Sequence, residues 1–191
     1  DADALYAYLR RGHSPRHGSA GGPMSAVVHE MQALPDADIR AMAVYLASFN
    51  PASDATALDA AARTAVAQAA QGADRLLGPA QRLFTNACAA CHHDGDGPPL
   101  LGVNQPLALS SKLTSDRPDN LIRTVLEGVR EPATRDIGFM QSFADALSDA
   151  QIADLANYMR ARYAPQRPDW GVTAAQVGTL RRMTNDFAAR R

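Results

Sequence analysis

The most constraining feature of this chain is the pentapeptide Cys-Ala-Ala-Cys-His at residues 88–92. C-x-x-C-H is the attachment sequence of c-type haem. Its two thiols add to the porphyrin vinyl groups, and a two-residue gap on a helical turn gives the sulfurs the right separation. The adjacent histidine then reaches the iron. The sequence therefore predicts Cys88 and Cys91 as thioether anchors and His92 as the proximal iron ligand.

Other chemistries use the same residue types. Cys88, Cys91, His92 and His93 could bind zinc, but structural zinc sites usually take their ligands from two separated pairs. A thioredoxin-like cysteine pair would need a βαβ setting, and no strand pattern lies nearby. A plain disulfide is the third alternative. Because the chain has only 2 cysteines, it can anchor at most one haem.

Composition limits the size and class of the protein. The 191 residues, 46% of them hydrophobic, suffice for one domain and part of another. A net charge of −1 gives no indication of nucleic-acid binding, and no segment has the length of a transmembrane helix. The chain has no initial methionine and no signal peptide, so we expect a processed or truncated product. Thioether attachment implies export, which predicts a periplasmic location.

Met140 is the predicted second axial ligand. It lies in a loop before the last helix of the haem region, so the chain can wrap around the haem. Met159, on the apolar side of a helix, fits the commoner role of core filler. The ligand His92 also needs an acceptor for its Nδ1–H, and the backbone carbonyl of Pro98 or Pro99 is the candidate. With both axial positions filled, we expect no oxygen or peroxide chemistry.

The chain contains a partial internal repeat. Residues 119–128 are echoed by residues 3–12, and both segments end at a glycine, a common helix C-cap. The same offset of 116 residues places Met24 on Met140. Applied to Cys88, this offset gives a position before residue 1. The first copy is therefore expected to lack its own pentapeptide.

A second part of the repeat follows at a slightly shorter offset. Residues 34–39 are echoed by residues 147–152, an offset of 113, and both lead into an amphipathic helix. Ser148 and Gln151 form a predicted capping box at the second helix. The predicted organisation has four parts: 1–52, the C-terminal half of a haem domain; 53–75, a partly helical linker; 76–165, a complete haem domain; and 166–191, a tail.

The C-terminal tail has an amphipathic pattern. Residues 173–190 predict a helix with Val177, Leu180 and Phe187 towards one side, beside several arginines. Such a helix could lie on a membrane surface, pack on a partner subunit, or stand in solvent. In the first copy, His13 and His17 flank a loop and are candidates to contact a haem propionate.

Residues 88–92, 116–128 and 140–152 resemble class I cytochrome c domains. More closely, they resemble the multi-haem cytochrome c subunits of periplasmic, membrane-associated dehydrogenases. This resemblance implies an all-α class I cytochrome c fold, with one complete haem domain preceded by the C-terminal half of another. It also implies a catalytic dehydrogenase partner, with quinone or a terminal oxidase as electron acceptor. The segment 164–170 favours a molybdenum hydroxylase as partner over a quinoprotein alcohol dehydrogenase.

The resemblance also assigns residue roles. It makes His92 and Met140 the axial pair of one haem c, and Met24 an axial ligand of a preceding haem that another segment would have to supply. Two positions depart from the family pattern. Residues 140–143 read Met-Gln-Ser-Phe where the family often has Met-Pro-Ala-Phe, which predicts a looser loop. Ala80 replaces a glycine before Phe84, which predicts a wider helix crossing.

The functional expectation is an electron-transfer subunit that relays single electrons and has no catalytic residues of its own. The alternative is a dihaem peroxidase-like redox enzyme or a haem sensor, which would need an open position on the iron. A third alternative is a helical interaction fragment without a cofactor.

Overall fold

The computed structural model describes residues 1–14, 16–51, 54–72, 76–93 and 106–188. The elements of the N-terminal region, residues 1–47, are α1 (Ala2–Arg11), β1 (His13–Ser14), β2 (His17–Ser19), α2 (Pro23–Met31) and α3 (Asp36–Ala47). Further helices follow: α4 (Ala55–Gly72), α5 (Pro79–Ala87), a 3-10 turn (Leu107–Leu109), α6 (Ser111–Thr114), α7 (Asp119–Glu127), α8 (Asp149–Tyr163) and α9 (Ala174–Ala188). The predicted predominance of helix is confirmed. Within the described ranges, the strands form one short antiparallel hairpin, β1–β2.

The N-terminal region is built around α1 and α3. The Asp1 side chain caps α1 by accepting a hydrogen bond from the Ala4 amide at 2.8 Å, which satisfies one of the open donors at a helix start. Leu9 on α1 and Ile39 and Ala43 on α3 are buried against each other. This small core holds the two helices together.

The main core lies between α5, α7 and α8. Phe84 on α5 is 1% exposed, and its ring centroid lies 5.7 Å from that of Tyr158 and 5.8 Å from that of Tyr163. Ser148 and Gln151 form the predicted capping box at the start of α8. Ala80 is partly buried against this core, and the wider helix crossing stays a prediction.

The segment predicted as a linker is a packed helix over its described residues 55–72. Ala69 of α4 is buried, and the Nε of Arg162 on α8 donates to its carbonyl oxygen at 3.4 Å. Near the other end of α4, Asp59 accepts a hydrogen bond from the Nε of Arg16 at 2.6 Å. Helix α4 therefore contacts both α8 and the N-terminal region.

The predicted tail helix is present as α9, and two of its predicted apolar residues pack on the preceding domain. Val177 is buried, and Leu180 packs against the main core. The Nε of Arg181 donates to Asp149 at 2.7 Å, and its Nη2 donates to the Leu147 carbonyl at 2.9 Å. The apolar side of α9 is thus turned towards its own domain at Val177 and Leu180. None of the described helices combines the length and apolarity that crossing a membrane requires.

The two regions meet at a buried junction. We call junction cluster the four residues Ala20, Val28, Ala133 and Ile137. The first two belong to the N-terminal region, and the other two belong to the loop in front of Met140. A hydrogen bond of 2.7 Å from the Thr134 hydroxyl to the Arg11 carbonyl lies beside this cluster.

Candidate haem-attachment site

The pentapeptide forms a tight turn at the end of α5. Pro79 occupies the first turn of this helix, where its missing N–H costs nothing. Cys88 is the C-cap of this helix, and its carbonyl oxygen accepts hydrogen bonds from the amides of Cys91 at 3.1 Å and His92 at 2.9 Å. The two cysteines are therefore held one turn apart, with the histidine directly after them, as the sequence predicts.

The environments of the two thiols differ. Both are free; Cys88 packs partly against the main core, and Cys91 is exposed. Burial, with a smaller contribution from nearby Cys91, raises the pKa of the Cys88 thiol to about 11. A thioredoxin-type attacking cysteine instead needs a pKa near ~7. The raised pKa argues against the thioredoxin alternative.

The zinc alternative also lacks geometric support. Among the residues that the structure describes, no three His, Cys, Asp or Glu side chains are placed so that they could share a metal ion. The pentapeptide turn gathers its donors on one short segment, whereas tetrahedral zinc sites usually draw on two.

The Nδ1 atom of His92 needs an acceptor that the described residues do not supply. This nitrogen is buried and has no hydrogen-bond partner within the described part of the chain. An unsatisfied buried polar atom costs about 1–3 kcal/mol. Burial, followed by the nearby His93, lowers the pKa of His92, which favours the neutral imidazole that binds metals. The predicted acceptors Pro98 and Pro99 lie outside the described residues.

Met140 lies on the same core as the pentapeptide. Its backbone forms an antiparallel bridge with Val129, with N–H···O distances of 2.8 and 3.1 Å. Its side chain is partly buried against the cluster that also contacts Cys88. The structure thus brings the predicted distal ligand and a predicted thioether anchor to one apolar core.

Gly128 is a site residue whose role the sequence does not reveal. Its φ is +72°, a conformation that favours glycine. A Cβ built on it would clash with the Met140 carbonyl oxygen. The sequence predicts Gly128 as a helix C-cap, but no sequence signal reports its approach to Met140.

The loop after Met140 is held without the proline of the family pattern. The Ser142 hydroxyl donates to the Leu126 carbonyl at 2.5 Å, and the Phe143 amide donates to the Val125 carbonyl at 3.0 Å. Gln141, directly before these two anchors, is exposed. The predicted loosening is therefore offset by Ser142 and by the burial of Phe143.

Met24 and His13 lie in different settings from Met140. Met24 is in the first turn of α2 and packs partly against the junction cluster. Met140 instead lies in a backbone bridge with Val129. His13 lies on β1, where burial is the main cause of its lowered pKa. Its charged neighbours are Asp136, which raises the pKa, and Arg11, which lowers it. The ligand role of Met24 and the propionate role of His13 stay predictions.

The residues fit covalently bound haem c. Two thiols lie one turn apart, a histidine directly follows them, and a methionine packs on the same core as Cys88. Together with the helical fold, this set defines a c-type cytochrome domain. Residues 77–159 match the family described as "Cytochrome C oxidase, cbb3-type, subunit III". This segment belongs to the cytochrome c domains, which confirms the resemblance and the predicted cofactor, haem c.

Similarity to named proteins extends over nearly the whole chain. The chain is 44% identical over 179 residues to one of the subunits of nicotinate dehydrogenase from Pseudomonas putida, covering 94% of this chain and 14% of that protein. It is 33% identical over 192 residues to the gluconate 2-dehydrogenase cytochrome c subunit of Pantoea cypripedii, covering 94% and 41%. It is 27% identical over 182 residues to the cytochrome c subunit of a quinone alcohol dehydrogenase of Gluconacetobacter polyoxogenes, covering 94% and 38%. The chain thus spans less than half the length of these relatives.

Proposed function

We propose that this chain is an electron-transfer unit that relays single electrons from a dehydrogenase partner. One observation carries the proposal: the pentapeptide turn and Met140 lie on one apolar core. Bound haem supplies a one-electron couple at its iron. Cys88 and Cys91 would anchor the group, and His92 and Met140 would bind its iron. Burial of the group among the apolar side chains of this core would disfavour the more charged ferric state.

The first test measures covalent haem on the protein. A pyridine haemochrome assay, combined with mass spectrometry of the proteolytic peptide that contains Cys88, should show one haem on that peptide. A peptide of unmodified mass would contradict the proposal. Carbon monoxide should leave the spectrum of the reduced protein unchanged, because both axial positions are filled. Rapid carbon monoxide binding would instead favour the peroxidase or sensor alternative.

The partner in this proposal is a catalytic dehydrogenase subunit, with a quinone or a terminal oxidase as the final acceptor and the periplasm as the compartment. The dehydrogenase names of the relatives support the partner class. We favour a molybdenum hydroxylase over a quinoprotein because of the resemblance of residues 164–170. Purifying the native complex and measuring molybdenum and quinone cofactor content tests this choice. Quinone cofactor without molybdenum would reverse it.

We also propose that residues 1–52 are the C-terminal half of a second cytochrome c domain. The repeat offset of 113 aligns Tyr45 on α3 with Tyr158 on α8. Tyr158 packs under Phe84, whereas Tyr45 and Phe49 are exposed. A helix that carries its own pentapeptide, from the same longer polypeptide, would cover α3 as α5 covers α8. Met24 would then be an axial ligand of this second haem.

The second-domain proposal is tested by counting haems. The intact mass of the protein purified from its source should exceed the mass of its polypeptide by more than one haem. A single haem on the native polypeptide would leave Met24 without the proposed role.

A further inference from the structure

We propose that the N-terminal region positions the iron ligand Met140 by holding the loop in front of it. The inference rests on the proposed function, since it assumes that Met140 binds the haem iron. The axial loop is defined as residues 130–139. Its two ends are joined by the Val129–Met140 bridge, so any movement of the loop acts directly on the backbone of Met140.

The middle of the axial loop packs outside its own domain core. Ala133 and Ile137 are buried in the junction cluster, together with Ala20 and Val28 of the N-terminal region. Val28 is 0% exposed, although it lies on α2, far from the pentapeptide in sequence. The apolar contacts that cover this part of the axial loop are therefore supplied by another region of the chain.

Two further contacts join the axial loop to the end of α1. The Thr134 hydroxyl donates to the Arg11 carbonyl at 2.7 Å. Gly12 closes α1 so tightly on the loop that a Cβ at this position would lie 2.5 Å from the Cδ1 of Ile137. The polar and the apolar contact lie three residues apart on the loop. They hold it at two points.

These contacts matter because an axial methionine exchanges with solvent or added ligands when its loop opens. Local opening costs little free energy where a segment has few contacts within its own domain. Loosening the junction should therefore raise the population of the open loop and increase the affinity of ligands that compete with Met140 for the iron. Val28, Thr134 and Ile137 are positioning residues in this account, since they act on the iron through Met140.

Imidazole binding to the ferric holoprotein tests the inference in the full chain. Val28→Ala removes two buried methyl groups from the junction, and Thr134→Val removes the hydrogen bond while keeping the side-chain volume. The matched control is Ile39→Val, which trims the separate core between α1 and α3. We expect about tenfold tighter imidazole binding in Val28→Ala, equivalent to about 1.4 kcal/mol. We expect a few-fold change in Thr134→Val and none in the control.

The far-red methionine–iron band provides a second readout. On heating, it should disappear at a lower temperature in both junction variants, while the helical circular dichroism still reports a folded chain. Unchanged imidazole affinity in Thr134→Val and Val28→Ala would overturn the inference, as would an equal shift in Ile39→Val. If Val28→Ala does not fold, Thr134→Val decides alone. Unmodified cysteines would defeat the electron-transfer proposal, whereas attached haem with unshifted variants defeats only the positioning role.

Discussion

Helices α3 and α8 follow similar sequence patterns in two regions of the molecule but have opposite surroundings. On α8, Tyr158 is 7% exposed because it packs on Phe84 of α5. On α3, the aligned Tyr45 is 65% exposed. Its ring packs edge-on against that of the exposed Phe49, with 5.0 Å between the ring centroids. The difference shows that an amphipathic helix specifies the face that needs a partner. It does not specify whether that partner is present.

The largest expected effect is the loss of covalent haem, since only one of the two regions carries cysteines. Replacing both Cys88 and Cys91 by serine should abolish covalent haem, because no other thiols exist in the chain. After acidic acetone extraction, the variant should retain no Soret absorbance, whereas the unaltered protein should keep it. Cys91→Ser alone is the matched control and should keep a single thioether. Extraction-resistant haem on the double variant would place the attachment site elsewhere.

The next prediction compares the two tyrosines directly. Tyr158→Ala should lower the free energy of unfolding by about 3 kcal/mol, because it empties a buried aromatic site. The control Tyr45→Ala should change it by less than about 0.5 kcal/mol, since exposed side chains contribute little. Urea unfolding followed by circular dichroism measures both. Equal losses would mean that the α3 face is covered in solution.

A third prediction concerns the methionines. Met140→Leu keeps the side-chain volume but removes the sulfur ligand. It should lower the midpoint potential by about 100 mV, equivalent to about 2.3 kcal/mol for one electron, within the about 0.8 V range that axial ligands control. Met31→Leu in the N-terminal region is the matched control. Redox titration with the far-red band as a marker decides, and an unchanged potential in Met140→Leu would remove it from the iron.

The smallest expected effect is a pH dependence at His13. Burial lowers the pKa of His13 below its ordinary value, which is about 6.5. The unfolded chain therefore takes up this proton first as the pH falls. Stability is full above about pH 6.5 and is lost progressively as the pH falls towards the lowered pKa. His13→Asn should flatten this slope in urea midpoints measured across that range, and an unchanged slope would exclude His13 as its source.

Local signals were sufficient to predict much of the fold and site. The spacing of apolar residues and the Ser148–Gln151 box located α8. The pentapeptide predicted its own turn because the two cysteines and the histidine are neighbours in sequence. In each case, the physical cause lies within one or two helical turns.

The features that sequence reasoning missed depend on distant contacts. The β1–β2 hairpin has too few residues to show alternation. Helix α4 resembled a linker because its burial depends on alanine and on Arg162, which reaches it from α8. Neither the approach of Gly128 to Met140 nor the junction cluster follows any local periodicity. Only the folded chain brings these residues together.

The absent side chain at Gly128 has one more consequence. Since even a single added carbon would press on the Met140 carbonyl, Gly128→Ala would disturb the sixth coordination position and leave the porphyrin attached. Such a variant would keep its red colour through purification, but its midpoint potential would be altered. A screen that measures colour alone would not detect this change. Substitutions at this position should therefore be assessed by measuring the midpoint potential with voltammetry.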